Sequence, residues 1–290
     1  MQHNEPSTSR IQIGLAGWGD HEDLYGAGIK APEKLNKYSR YLPIVELDSS
    51  FYAIPTPERM KGWSTQTPDH FGFIVKAYQG MTGHTRGNIP FEDERTMFQV
   101  FRDSVEVLQG DGKLRAVLFQ YPPWFDCTHH NVDILRRTKE WMEGFPVALE
   151  FRHQSWFTPE MRDKTLSFMR QEGWIHSIAD EPQIGEGCVP IVLEPTQAEA
   201  TMVRFHGRNA AGWKASGQEN WREVRYLYRY SVQELLEWKD RILQLGKSTK
   251  QIWIIFNNNS GGDAASNARQ LMSMLGLDEP PLPEEQMTLF

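Results

Sequence analysis

The chain has 290 residues, enough for one large α/β domain or two ordinary ones, and long enough to bury a large core. Lys and Arg total 31 against 38 Asp and Glu, a formal net charge of −7, which argues against a general binder of nucleic-acid backbones and leaves room only for a local basic pocket. Cys127 and Cys188 fit neither a disulfide framework nor a metal spacing, no apolar run reaches the length of a membrane span, and the start MQHNEPSTSR lacks the apolar core of a signal peptide, so a soluble cytoplasmic protein is expected.

In chain order, residues 1–10 are polar and expected to form a flexible N-terminal segment. Ile11–Leu15 reads as a first strand, followed by a helix over Pro32–Tyr41 with Pro near its start. Ile44–Leu47 is a second strand running into Asp48-Ser49-Ser50-Phe51-Tyr52, and Pro57–Gln66 a helix capped by Thr56. Phe71–Lys76 is a third strand. The helix after it, within Glu92–Leu108, shows Met97, Phe98, Phe101, Val105 and Leu108 at helical spacing. Leu114–Gln120 is the fourth strand, stopped by Tyr121-Pro122-Pro123-Trp124, and Asn131–Met142 its helix. Val147–Phe151 is the fifth, followed by a helix over Pro159–Gln171 with Thr158 as its expected cap and Gly173 past its end. Trp174–Ala179 is the sixth strand, ending at Asp180. Residues 181–200 are rich in Pro and Gly and show no clear helix. Thr201–Phe205 and Gln251–Phe256 are the seventh and eighth strands, with helices over Val232–Leu245 and Asp263–Leu275.

Eight strand candidates alternating with helices predict a parallel sheet with crossover connections. Eight such units match a closed (β/α)8 TIM barrel of about 250 residues, a single domain over 11–276 with a weak or missing sixth helix. A doubly wound open sheet is the competitor, but GLAGWGD after the first strand lacks the spacing of a dinucleotide fingerprint. Residues 277–290, acidic and Pro-rich, predict an extended tail.

In a barrel, residues at the C-terminal strand ends converge. Here these are Glu46 and Asp48, Lys76, Gln120, Glu150 and Arg152, Asp180, Arg204 and His206, and Asn257 to Asn259. The stretch VALEFRHQSW is the clearest: an apolar strand opens into Glu150 and Arg152, which face the same way because side chains alternate. Buried charges must pair, and Glu150 with Arg204, and Glu46 with Lys76, are the expected pairs. The ring is then either a fixed ion-pair network or a ligand site. Three cations, Lys76, Arg152 and Arg204, point to a phosphate- or carboxylate-bearing ligand, with Gln120, Asn257 and Asn258 as polar contacts. Glu150, Glu46 and His206 are the catalytic candidates, and His84 is a further acid/base possibility. Trp18, Tyr52, Trp124, Trp156 and Trp213 could wall the pocket. No cofactor is expected. A divalent metal ranks below an anion, because Glu46, Glu150, Asp180, His153 and His206 form no tight ligand motif and nearby cations would compete.

Taken together, GLAGW at 14–18, VELDSSFYAIP at 45–55, WSTQTPDHFGFIVKA at 63–77, VLFQYPP at 117–123, ALEFRHQSW at 148–156, VRFHGR at 203–208, RYLYRYS at 225–231 and FNNNSGGDAASNA at 256–268 resemble the DUF72, or YecE-like, family. That resemblance implies a TIM barrel with a polar pocket at the strand C-termini and an unsettled activity, likened to sugar isomerases by analogy alone. The Thr-His pair the family carries after its third strand is split here as Thr82-Gly83-His84. The terminal Gln286-Met287-Thr288-Leu289-Phe290 resembles the peptide by which bacterial repair and replication proteins dock on the sliding clamp, with Gln286, Leu289 and Phe290 as anchors. Three functions follow as expectations: a hydrolase, lyase or isomerase acting on a small anionic sugar or nucleotide; a clamp-tethered DNA repair accessory protein; or a non-catalytic ligand-binding module. Direct duplex binding and a membrane partner are not expected.

Overall fold

The computed structural model describes residues 9–25, 28–85, 87–214 and 224–277. Eight strands form one closed barrel: β1 Arg10–Ala16, β2 Ile44–Leu47, β3 Gly72–Lys76, β4 Leu114–Gln120, β5 Val147–Glu150, β6 Ile175–Asp180, β7 Ala200–Phe205 and β8 Gln251–Phe256. Every neighbouring pair is parallel, and β1 closes on β8 from Arg10–Gln251 to Leu15–Phe256. The TIM-barrel expectation therefore holds. No helix among the described residues is long and apolar enough to cross a membrane.

The helices are α1 Glu22–Tyr25, α2 Ala31–Tyr38, α3 Ser49–Tyr52, α4 Pro57–Thr65, α5 Glu94–Gly110, α6 His129–Trp141, α7 Arg162–Glu172, α8 Ala210–Lys214, α9 Val232–Leu245 and α10 Asp263–Met274. Thr56, Asp93 and Thr128 cap α4, α5 and α6 by accepting backbone N–H bonds, and Ser231 with Glu234 forms a capping box on α9. Thr158 does not cap α7 as expected. A turn intervenes, in which its carbonyl accepts from Met161 and Arg162, and the helix starts at Arg162. No helix joins β6 to β7. Side chains and turns pin that connection instead: Glu181 accepts from Val189 N at 2.7 Å, and Thr196 donates to Trp174 O.

Two apolar layers result. The larger lies between barrel and helices, and α5 contributes the Met97, Phe98, Phe101, Val105 and Leu108 face. The smaller fills the barrel interior with Ala16, Ile44, Ile74, Ala116, Leu118, Ala148, Ile175, Ala200, Met202, Trp253 and Ile255. Gly14 belongs to the interior register of β1, and a Cβ there would lie 1.9 Å from the Ile44 carbonyl oxygen, so only Gly lets β1 and β2 approach.

Candidate functional site

The interior register decides what reaches the mouth. Counting up in twos from the apolar interior residues gives Glu46 and Asp48 on β2, Lys76 on β3, and Gln120 on β4. The same count gives Glu150 and Arg152 on β5, Ser177 and Glu181 on β6, Arg204 and His206 on β7, and Asn257 on β8. Apolar side chains thus fill the barrel floor and charged ones crown it.

Arg204 is the hub, with no solvent exposure. Its Nε donates to Glu46 Oε2 at 2.8 Å and its Nη2 to Glu46 Oε1. Nη1 donates to both oxygens of Glu150 at 3.0 Å and to Gln120 Oε1 at 2.9 Å. Glu150 also accepts from Ser177 Oγ at 3.0 Å and lies 3.4 Å from Arg152 Nη1. His206 completes the cluster. Asn257 Nδ2 stands 3.2 Å from its Nδ1, so Nδ1 accepts and Nε2–H donates to Glu150 Oε1 at 3.0 Å. The expected Glu150–Arg204 pair is present. The expected Glu46–Lys76 pair is not, because Arg204 takes both Glu46 oxygens. Lys76 turns to Asp48 instead, at 3.3 Å.

Burial and pairing separate the carboxyls. One guanidinium cannot neutralise three acids, and Glu46 is the one that loses. Burial pushes its pKa to about 7, against the pull of Arg204 and with Asp48 adding to the push. Asp48 sits below its ordinary value, since Lys76 and Arg204 outweigh its desolvation, and a side-chain hydrogen bond links it to Glu46. Glu150 is held well below its ordinary value despite burial, by Arg204 and His206. Burial lowers His206 to about 3, so its imidazole is neutral, as the Asn257 contact requires. On the far side Arg152 lies 2.6 Å from Glu181, whose carboxyl burial raises to about 7.

Solvent reaches this crown on one side. Asp48, Lys76, Gln120 and Asn257 are half-buried, whereas Glu46, Glu150, Arg152, Arg204 and His206 are buried. An aromatic rim borders the open side: Tyr52 stands edge-on to Phe51 at 5.2 Å, Phe51 to His84 at 5.0 Å, and His84 to Trp124 at 5.9 Å. Thr82 Oγ1 lies 2.8 Å from His84 Nδ1, so the split Thr-Gly-His spacing still yields a Thr–His pair. Burial, then Lys76 and Arg152, lower His84 to about 4.

Several expected site residues face away from the mouth or are engaged within the chain itself. Asp180 has the opposite register and faces the helices, accepting from Arg208 (2.8 and 2.6 Å), Tyr230 and Trp238. Asn258 is likewise out of register, its amide donating to Tyr228 O and Asn267 Oδ1. Trp156 is buried in a stack with Phe151 and Phe125 and donates to Phe125 O, so it walls no pocket. Trp18 packs edge-on against Trp63 of α4. Arg152 and Arg204, expected to hold an anion, face carboxylates of the chain itself. His153 turns to Ser155, and among the described residues no three His, Cys, Asp or Glu side chains are grouped to hold a metal ion. Gln286, Leu289 and Phe290 lie outside the described residues. Ser177 and Glu181 were missed, although the alternation from Ile175 marks both.

Fold and site define a single-chain (β/α)8 barrel with a charged mouth at the C-terminal ends of its strands. The chain belongs to the DUF72 family, described as "Protein of unknown function DUF72", which matches residues 12–287. It is 53% identical over 281 residues to the UPF0759 protein YunF of Bacillus subtilis, covering 97% of this chain and 100% of that protein. It is 24% identical over 233 residues to the UPF0759 protein YecE of Escherichia coli K12, covering 79% and 82%. Among solved structures, a DUF72 family protein of Enterococcus faecalis superposes with a TM-score of 0.89 at 36% identity, over 96% of this chain and 99% of that one. One from Thermotoga maritima gives 0.77 at 29%, over 92% and 99%.

Proposed function

We propose that this protein is an enzyme that binds a small anionic ligand at the open side of the barrel mouth and moves a proton on it. The observation that carries the reading is the Asp48–Lys76 pair, both half-buried, seated on a buried carboxyl, Glu46, that keeps its proton to about pH 7. Replacing a buried ion network by well-packed apolar residues is often neutral or stabilising, so the crown is poor value as mere scaffolding. Two linked carboxyls whose environments push them apart are the arrangement acid–base chemistry needs.

In this reading Lys76 Nζ meets the anionic group of the ligand, and its departure from Asp48 frees that carboxylate to act as base. Glu46, hydrogen-bonded to Asp48, supplies or receives the second proton. Arg204 and Glu150 hold Glu46 and His206 in place. Gln120, Asn257 and His84 offer neutral hydrogen-bonding groups, and Phe51, Tyr52 and Trp124 form an apolar wall beside them. Phosphosugars, nucleotides and carboxylates are screened by thermal shift on wild type and Lys76→Ala. The reading expects at least one compound to stabilise the wild type and not the variant, and a panel that stabilises neither contradicts it.

A further inference from the structure

The mouth has a second compartment that the proposed reaction leaves idle. Arg152, 2% exposed, meets Glu150 and Glu181 and is covered by Trp213 of α8, its guanidinium carbon 4.9 Å from the ring centroid. The same indole carries Arg225 at 3.8 Å, so one ring is shared between two guanidinium groups. Two features bear on what this compartment could take. Arg152 Nε and Trp213 Nε1 are both buried without a hydrogen-bond partner among the described residues, and an unmet buried donor is costly. Among the described residues, the side-chain hydrogen bonds of Asn209 beside Trp213 stay within its own segment. Asn209 donates to Val224 O and Leu227 O and accepts from Gly212 N, and among the described residues the Trp213 side chain meets the mouth through its ring, with no hydrogen bond from its indole nitrogen.

An oxygen anion in place of the indole would supply what the indole cannot: an acceptor for Arg152 Nε–H, between two guanidinium charges. We propose that Trp213 is a displaceable cover over a second anion subsite built on Arg152 with Arg225 beside it. Resting on the reading of the mouth as a ligand site, this makes the ligand one with two anionic groups, one at Lys76 and one here.

Inorganic phosphate is the probe, and protein labelled with 5-fluorotryptophan the reporter, the Trp213 resonance being identified by its loss in Trp213→Phe. Trp213→Ala should bind phosphate at least tenfold more tightly than wild type, and Arg152→Gln in that background should remove the gain. In wild type, phosphate at a hundredfold the Trp213→Ala dissociation constant should shift the Trp213 fluorine signal towards its solvent-exposed position. Equal affinity with and without the indole, or a Trp213 signal that stays in place, overturns the proposal. The fluorine readout decides the matter even if Arg152→Gln fails to fold. Lys76→Ala distinguishes the two readings, since it weakens the open site and leaves the tenfold gain standing.

Discussion

The two sides of the barrel mouth are built from the same residue types and behave differently. On the side of β5 to β7, Glu150, Arg152, Arg204 and His206 are buried and bound to one another, and Trp213 lies against Arg152. On the side of β2 to β4, Asp48 keeps about a third of its side chain in solvent (32%) and Lys76 14%, with a single ion pair between them. A buried network of paired charges holds them where they are, because freeing any one leaves a partner stranded at several kcal/mol. A pair that still reaches solvent can exchange partners more cheaply, since water compensates part of each loss. The first kind of environment fixes its side chains, and the second leaves them able to change partners.

The largest effect should come from breaking the fixed side. Arg204→Met strands Glu46 and Glu150 in the barrel and should cost about 3–5 kcal/mol in urea denaturation. A loss below 1 kcal/mol would mean that water already solvates the hub.

Next is the pH dependence of Glu46. The unfolded chain ionises this carboxyl near its ordinary 4.5, the folded one only near 7. Its contribution to stability is therefore fully present below pH 4.5 and lost as pH rises through 7. Between pH 4.5 and 8 the wild type should lose about 3 kcal/mol relative to Glu46→Gln, which carries no such proton. Parallel stability curves would show that Glu46 is ionised throughout, and would leave Asp48 without its proton partner.

A smaller loss is expected outside the mouth. Asp180→Asn weakens the bonds to Arg208, Tyr230 and Trp238 and should cost about 2 kcal/mol. It should leave ligand binding untouched, since Asp180 faces the helices. A change in ligand affinity would join that outer network to the site.

The smallest stability change belongs to the open side. Lys76→Ala should alter stability by less than about 1 kcal/mol, measured by denaturation, while removing ligand-induced stabilisation.

Much of this is legible in the sequence. Alternating strand and helix patterns give the closed barrel, and Glu150 and Arg152 two residues apart on one apolar strand mark the mouth. Register decides which of these side chains reach the mouth. Alternation selects Glu181 over Asp180 and Asn257 over Asn258, because a step of one residue crosses the strand to the other face. The partner of Lys76 was not legible. It depends on Arg204 claiming both oxygens of Glu46, a contact between residues 158 positions apart. Trp213 is legible as an aromatic candidate for the mouth, but its seat over Arg152 is not, because it comes from α8, which carries no strand register to count along.

The central claim is that the open side of the mouth takes an anion at Lys76, and selenate-soaked crystals test it most directly. The account predicts an anomalous selenium peak within hydrogen-bond distance of Lys76 Nζ, lost in Lys76→Ala. Selenium peaks confined to other surfaces, with the mouth holding none, would contradict it.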